Sequence, residues 1–99
     1  MNEARQLLKH LHAQIDGRAD ATEGMLLAAA RDAGYWVSAD RRIGEADLAT
    51  LIGMSAGGLA NKRREGSAPP FYLLGGAGHR VTYRLAEVAT WIEAHREDG

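Results

Sequence analysis

Apolar positions recur along this chain at helical spacing in four places and alternate in one. Ala4, Leu7, Leu8, Leu11 and Ile15 follow an i, i+3, i+4, i+7, i+11 pattern, which predicts an amphipathic helix over residues 2–15, stopped by Asp16-Gly17. Asp20 with Glu23 three residues on forms a capping-box-like start for a second helix over 21–33, whose stripe is Met25, Leu26, Ala29, Ala30 and Ala33, with Gly34 as its left-handed end. Leu48, Leu51 and Ile52 share one face of a short helix over 45–52, with Gly44 as an acceptable N-cap and Gly53 just past the last periodic residue. Met54 plugs the corner, Ser55 can cap the next helix, and Leu59 points back toward Leu48 and Ile52. That next helix covers 56 to 64 or 65 and carries Asn61, Lys62, Arg63 and Arg64 before Gly66 to Pro70 ends it. Residues 71–74 form a strand candidate, 75–78 a glycine turn, and 79–84 alternates as a half-buried second strand. Leu85, Val88, Ala89 and Ile92 set a last helix, flanked by Trp91 and expected to pack across the two helices before it.

The connections between these elements read less uniquely. Tyr35-Trp36-Val37 is an aromatic, β-prone piece that anchors a connection to the core, or else a dimer contact. Residues 38–42 read as a polar loop, in which Arg41 and Arg42 lie in solvent or touch phosphate. The helix pair around Gly53 fits two ordinary core helices. It also fits the helix, short turn, helix form of a DNA-binding unit, in which the second helix enters the major groove.

Length and composition narrow the classes. Ninety-nine residues suit one modest core. The expected division is a helical extension over 1–42 and a main unit over 43–99. With no cysteine there is no disulfide frame and no thiolate metal site. No apolar run approaches the roughly 20 residues that span a bilayer, and the first residues do not resemble a secretory signal. A cytoplasmic setting is expected, with no membrane, cofactor or small-molecule partner.

The net charge is −1, yet the charge is unevenly placed. Residues 1–42 balance, 43–59 hold two acids and no base, and 85–99 are acidic. Residues 60–84 hold Lys62, Arg63, Arg64, Arg80 and Arg84 against Glu65 alone. Phosphate contacts need such local positive charge rather than a basic total, although a solvated basic face looks the same in sequence.

Catalytic and metal chemistry find little support. His10 and His12 diverge by about 200° on a helix, so they cannot share a metal. The glycine run at 75–78 precedes no helix and lacks the Lys-Ser/Thr pair of a phosphate loop. Ser55 with His79 could be drawn as nucleophile and base, but N-capping explains Ser55 more simply.

Several spaced motifs carry a family likeness. Leu48-Ala49-x-Leu51-Ile52-Gly53-Met54-Ser55, Arg64-Glu65-Gly66, Pro69-Pro70, Leu74-Gly75-Gly76 and Val81-x-Tyr83-Arg84-Leu85-x-Glu87-Val88-x-x-Trp91-Ile92 occur in that order. Over residues 43–96 the chain resembles the excisionase and AlpA-like branch of the MerR superfamily, small winged helix-turn-helix proteins of phages and mobile elements. Small subunits of phage terminase resemble the same pattern. The resemblance implies a mainly α fold with a β-hairpin wing. It implies recognition-helix contacts from Ser55, Asn61, Lys62, Arg63 and Arg64, and wing contacts from His79 and Arg80. Gly57 and Gly58 stand where such proteins usually carry larger side chains; they remove base contacts but let the backbone at Gly58 approach phosphate. Lys62 also departs from the pattern, standing where an apolar residue is common.

The expected function is therefore sequence-specific binding of double-stranded DNA, as a transcriptional regulator or recombination directionality factor. Asn61 suits adenine and Arg63 or Arg64 guanine, while Lys62 and Arg84 suit phosphate. One small module reads few base pairs, so a homodimer or cooperative array is expected, with Leu7, Leu11, Tyr35 and Trp36 as candidate contact residues. The competing expectation is a protein-interaction module built on the same scaffold, such as a packaging subunit or a phage-encoded inhibitor.

Overall fold

The computed structural model describes residues 2–75 and 80–97, without the side chains of residue 2 and residues 11–16. The elements among them run α1 (Asn2–Asp32), β1 (Arg42–Gly44), α2 (Glu45–Leu51), α3 (Ala56–Glu65), β2 (Tyr72–Leu74), β3 (Arg80–Arg84) and α4 (Leu85–Ala94). The protein is mainly helical with a small antiparallel sheet of order β1-β3-β2. No helix among the described residues is long and apolar enough to cross a membrane.

Two expected N-terminal helices are one. α1 runs unbroken through Asp16-Gly17 and past Asp20. Glycine inside a helix costs only about 1 kcal/mol relative to alanine, which neighbouring turns can offset. Its inward face also differs from the expected stripe. Ala19, Leu26, Leu27 and Ala30 are buried, whereas Met25, Ala29 and Ala33 lie exposed. Leu27 is buried in their place. α4 packs chiefly on α1 and on β3, rather than across α2 and α3 as the periodicity suggested. Its own periodic set behaves as expected: Leu85, Val88 and Ala89 are buried and Ile92 packs against them.

β1 was not legible as a strand. Its register pairs Arg42 with Arg84, Ile43 with Tyr83 and Gly44 with Thr82. On the other side of β3, Tyr72 pairs with Thr82, Leu73 with Val81 and Leu74 with Arg80. The hairpin expected from 71–74 and 79–84 is therefore present, as the edge strand β2 paired with the central strand β3; the turn at 76–79 lies outside the described residues. Tyr35 and Val37 pack against the core without joining a strand, as anchors of the connection.

One cluster gathers α1 (Ala19, Leu26, Leu27, Ala30), Ile43, α2 (Leu48, Ala49), Leu59 of α3, Tyr83 and α4. Residues on both sides of position 42 thus share one core. The loop entering β1 is tightly tied. Ser38 N–H donates to the Arg42 carbonyl at 3.0 Å, and Arg42 N–H donates to Ser38 Oγ at 2.8 Å. Arg41 sits in the left-handed region at φ 60°, where non-glycine residues are uncommon.

Candidate nucleic-acid interface

The α2–α3 pair is built from local cues. α2 buries Leu48 and Ala49, and Gly53 turns the chain at φ 78°. Met54 N–H then donates to the Ala49 carbonyl at 2.8 Å, closing the corner. Ser55, extended at φ −77°, caps α3 by accepting from Gly58 N–H at 3.0 Å. Leu59 is fully buried and fixes which side of α3 faces inward. Gly66, at φ 77°, ends the helix.

That orientation divides the basic cluster. Gly57, Asn61 and Arg64 fall at i, i+4 and i+7, and all three are exposed. Arg64 Nη1 donates to Asn61 Oδ1 at 3.3 Å, so the two polar heads lie side by side. Lys62 is half-buried. Neither Lys62 nor Arg64 has a carboxylate within ion-pair distance among the described residues.

Arg63 faces the other way. Its Nε donates to Glu45 Oε2 at 2.8 Å and its Nη2 to Glu45 Oε1 at 3.3 Å, a bidentate pair across to the first turn of α2. Tyr83, the largest fully buried side chain, donates its hydroxyl to the same Glu45 Oε2 at 2.5 Å. The Phe71 ring covers the guanidinium, 5.6 Å from its centroid. Burial opposes ionisation of Glu45, but the hydrogen bonds from Arg63 and Tyr83 outweigh it and hold the carboxyl below its usual range. Burial and the Glu45 carboxylate together push the Tyr83 phenol well above its usual range. Both groups therefore stay in their ordinary charge states, with Arg63 as the counter-ion. The expectation that Arg63 reads guanine meets a side chain already paired inside the fold.

The strand arginines are also engaged. Arg80 opens β3 and lays its guanidinium over Trp36, 4.4 Å from the ring centroid. A Cβ at Gly44 would come within 3.3 Å of Arg80 Nη2, so glycine leaves room for this side chain. Arg80, Arg63, Gly44, Glu45, Asp47 and Ala56 line a groove of about 450 Å³ between the start of α2, α3 and β3.

Arg84 stacks on Tyr72 at 4.9 Å and reaches Asp40 Oδ2 at 3.4 Å. Its cross-strand neighbour is Arg42, and like charges directly opposed on a ladder are unfavourable. Asp40 relieves this by also accepting from Arg42 Nε at 2.9 and 3.0 Å. Hydrogen bonds from Ser38 and then Arg42 keep the Asp40 carboxyl far below the usual carboxylate range. Tyr72 in turn donates its hydroxyl to Glu87, which raises the phenol pKa.

Among the other residues singled out in the sequence, Leu7 is exposed, Tyr35 is half-buried against the core, and Trp36 is partly open beneath Arg80. His79 and the side chain of Leu11 lie outside the described residues. Sequence reasoning missed Glu45, Tyr83 and Phe71 as partners of Arg63, Trp36 as the shelf for Arg80, and Asp40 as the hub for Arg42 and Arg84. The only local signal was the acid at Glu45, 18 residues before Arg63. Comparison of the chain with protein families, curated proteins and solved structures returns no match.

Proposed function

We propose that this protein is a winged helix-turn-helix binder of double-stranded DNA that reads sequence through the outward face of α3. The observation that carries the reading is the division of α3. Leu59 and Arg63 secure the helix from behind, while Asn61 and Arg64 stand together on its exposed side. An amide beside a guanidinium offers the donors and acceptors that match adenine and guanine edges in the major groove.

This reading divides the roles within the cluster. Asn61 and Arg64 are the base-reading pair and Lys62 a phosphate contact. Arg63 is a positioning residue that fixes α3 against α2. Gly57, with nothing within 4 Å of where a Cβ would stand, has no packing reason to be glycine. Its open backbone suits close approach of a phosphate at the start of the helix. Gly58 has a packing reason, since a Cβ there would lie 3.0 Å from the capping Ser55 Oγ. Arg80, presented by Trp36 at the edge of the groove, supplies a further cation for the phosphate backbone. A role as regulator or recombination directionality factor of a phage or mobile element follows from the family resemblance.

Selection from a random duplex pool tests the reading. The protein should enrich a defined site, and Arg64→Ala and Asn61→Ala should each weaken binding to it by about 1–3 kcal/mol, as for loss of a good base contact. Failure of the wild-type protein to enrich any sequence would overturn it. Arg63→Ala is not a clean probe, because it unpairs Glu45.

A second reading rests on the outer strand. Phe71 and Leu73 are 43% and 56% exposed beside an acidic C-terminal helix, which suits a protein partner. A largely apolar interface would persist as salt is raised, whereas DNA binding would not.

A further inference from the structure

We propose that two copies of this chain pair antiparallel along α1. α1 carries a seven-residue repeat off the line of Ala19, Leu26, Leu27 and Ala30 that it buries in the core. Ala4, Leu11, Arg18 and Met25 occupy one position of the repeat, and Leu7, Gln14, Ala21 and Ala28 the position three residues on. Spacing of this kind, at 3.5 residues on average, is the seam of a two-helix coiled coil. Every seam residue whose side chain the structure describes is exposed: Ala4, Leu7, Arg18, Ala21, Met25 and Ala28. Leu7 is 63% and Met25 72% exposed, so the seam is open at both ends of the helix. It is separate from the face of α1 that buries Ala19, Leu26, Leu27 and Ala30 in the core.

The sequence of the seam selects a second copy of itself, reversed. With the two-fold axis near residue 16, Leu7 meets the second copy's Met25 and Ala4 meets Ala28, while by position along the helix residue 11 falls level with Ala21 and residue 14 level with Arg18. Each layer then joins the two kinds of seam position, as antiparallel packing requires. Parallel pairing would instead set Arg18 against Arg18 at the centre. The flanking positions agree: Glu3 lies opposite the second copy's Arg31, an ion pair repeated at both ends, and both residues are exposed in the single chain. Every side chain of α1 described before Ala19 is exposed, and a helix segment of about 15 residues is marginal in water without a packed face. Pairing provides that face. The proposal uses none of the residues assigned to DNA on α3 and β3, and it gives Leu7 and Leu11, expected above as contact residues, a defined register.

Because the chain has no cysteine, crosslinking reads the register directly. Leu7 and Met25 lie about 27 Å apart along one helix, at 1.5 Å per residue, so they cannot bridge within a chain. Leu7→Cys/Met25→Cys should form a covalent dimer on mild oxidation, while Leu7→Cys alone and Met25→Cys alone should not. Sedimentation equilibrium of the wild-type protein at micromolar concentration should give twice the 10.7 kDa chain mass. Leu7→Glu should return it to one chain mass with an unchanged circular dichroism spectrum. A wild-type protein of one chain mass, or a Leu7→Cys protein that crosslinks as well as the double variant, would overturn the proposal.

Discussion

Arg63→Ala probes the joint between α2 and α3. The Arg63 and Glu45 side chains are 22% and 16% exposed, so the pair is largely shielded from water. Removing the guanidinium deletes two charge-assisted hydrogen bonds and leaves Glu45 with the Tyr83 hydroxyl alone. Loss of such a partner from a mostly buried charge should cost about 1–3 kcal/mol. In a domain of this size that corresponds to a fall in Tm of roughly 4–8 °C per kcal/mol. The effect should depend on pH. The folded pKa of Glu45 lies below its ordinary value of 4.5, so the pair's contribution is complete above that pH. It is lost as pH falls through the lower, folded value. Urea unfolding followed by circular dichroism at pH 7 and at successively lower pH measures both. The wild-type advantage should be full at pH 7 and shrink below about pH 4.5. Equal stability of the two proteins at pH 7, or a difference that does not change with pH, would refute the role assigned to this pair.

Other outcomes follow from the same geometry. Ser55→Ala should cost about 0.5–2 kcal/mol in urea unfolding through loss of the α3 cap. Gly57→Ala, in open space, should raise stability by roughly 0.5–1 kcal/mol, while Gly58→Ala should gain less or lose, because its Cβ would crowd Ser55 Oγ; equal effects would contradict the packing described. Leu59→Ala should cost about 2–5 kcal/mol, since the side chain is fully buried; a smaller loss would mean that α3 is not anchored from behind.

Local signals made much of the fold readable. The corner from Leu48 to Leu59 depends on residues a few positions apart: a left-handed glycine, a capping hydroxyl and a helical apolar spacing. α4 was legible for the same reason. What failed was non-local. β1 is three residues long and exists because Ile43 pairs with Tyr83, 40 positions away. α1 continues through Gly17 because a local stop signal is weak beside helix continuity on either side. The stripe of Met25, Ala29 and Ala33 was misjudged because the partner of α1 is α4, more than 50 residues on.

The candidate interface shows the same limit. Sequence located the basic cluster on the correct helix. It could not divide Arg63 from Arg64, because that division depends on which side of α3 meets Glu45 and Tyr83. Nor could it foresee that Trp36 underlies Arg80, or that Asp40 occupies Arg84. Pairing between distant segments decides which cations face outward.

The central claim is that the exposed face of α3 engages the groove and backbone of duplex DNA. Its most direct test is fluorescence anisotropy with the selected duplex and a scrambled one, over a range of salt concentration. The account predicts tighter binding to the selected duplex and a Kd that rises steeply with salt. Each phosphate contact removed, as in Lys62→Ala, should lower the slope of log Kd against log salt by about 0.9. A Kd insensitive to salt, or equal for the two duplexes, would contradict it.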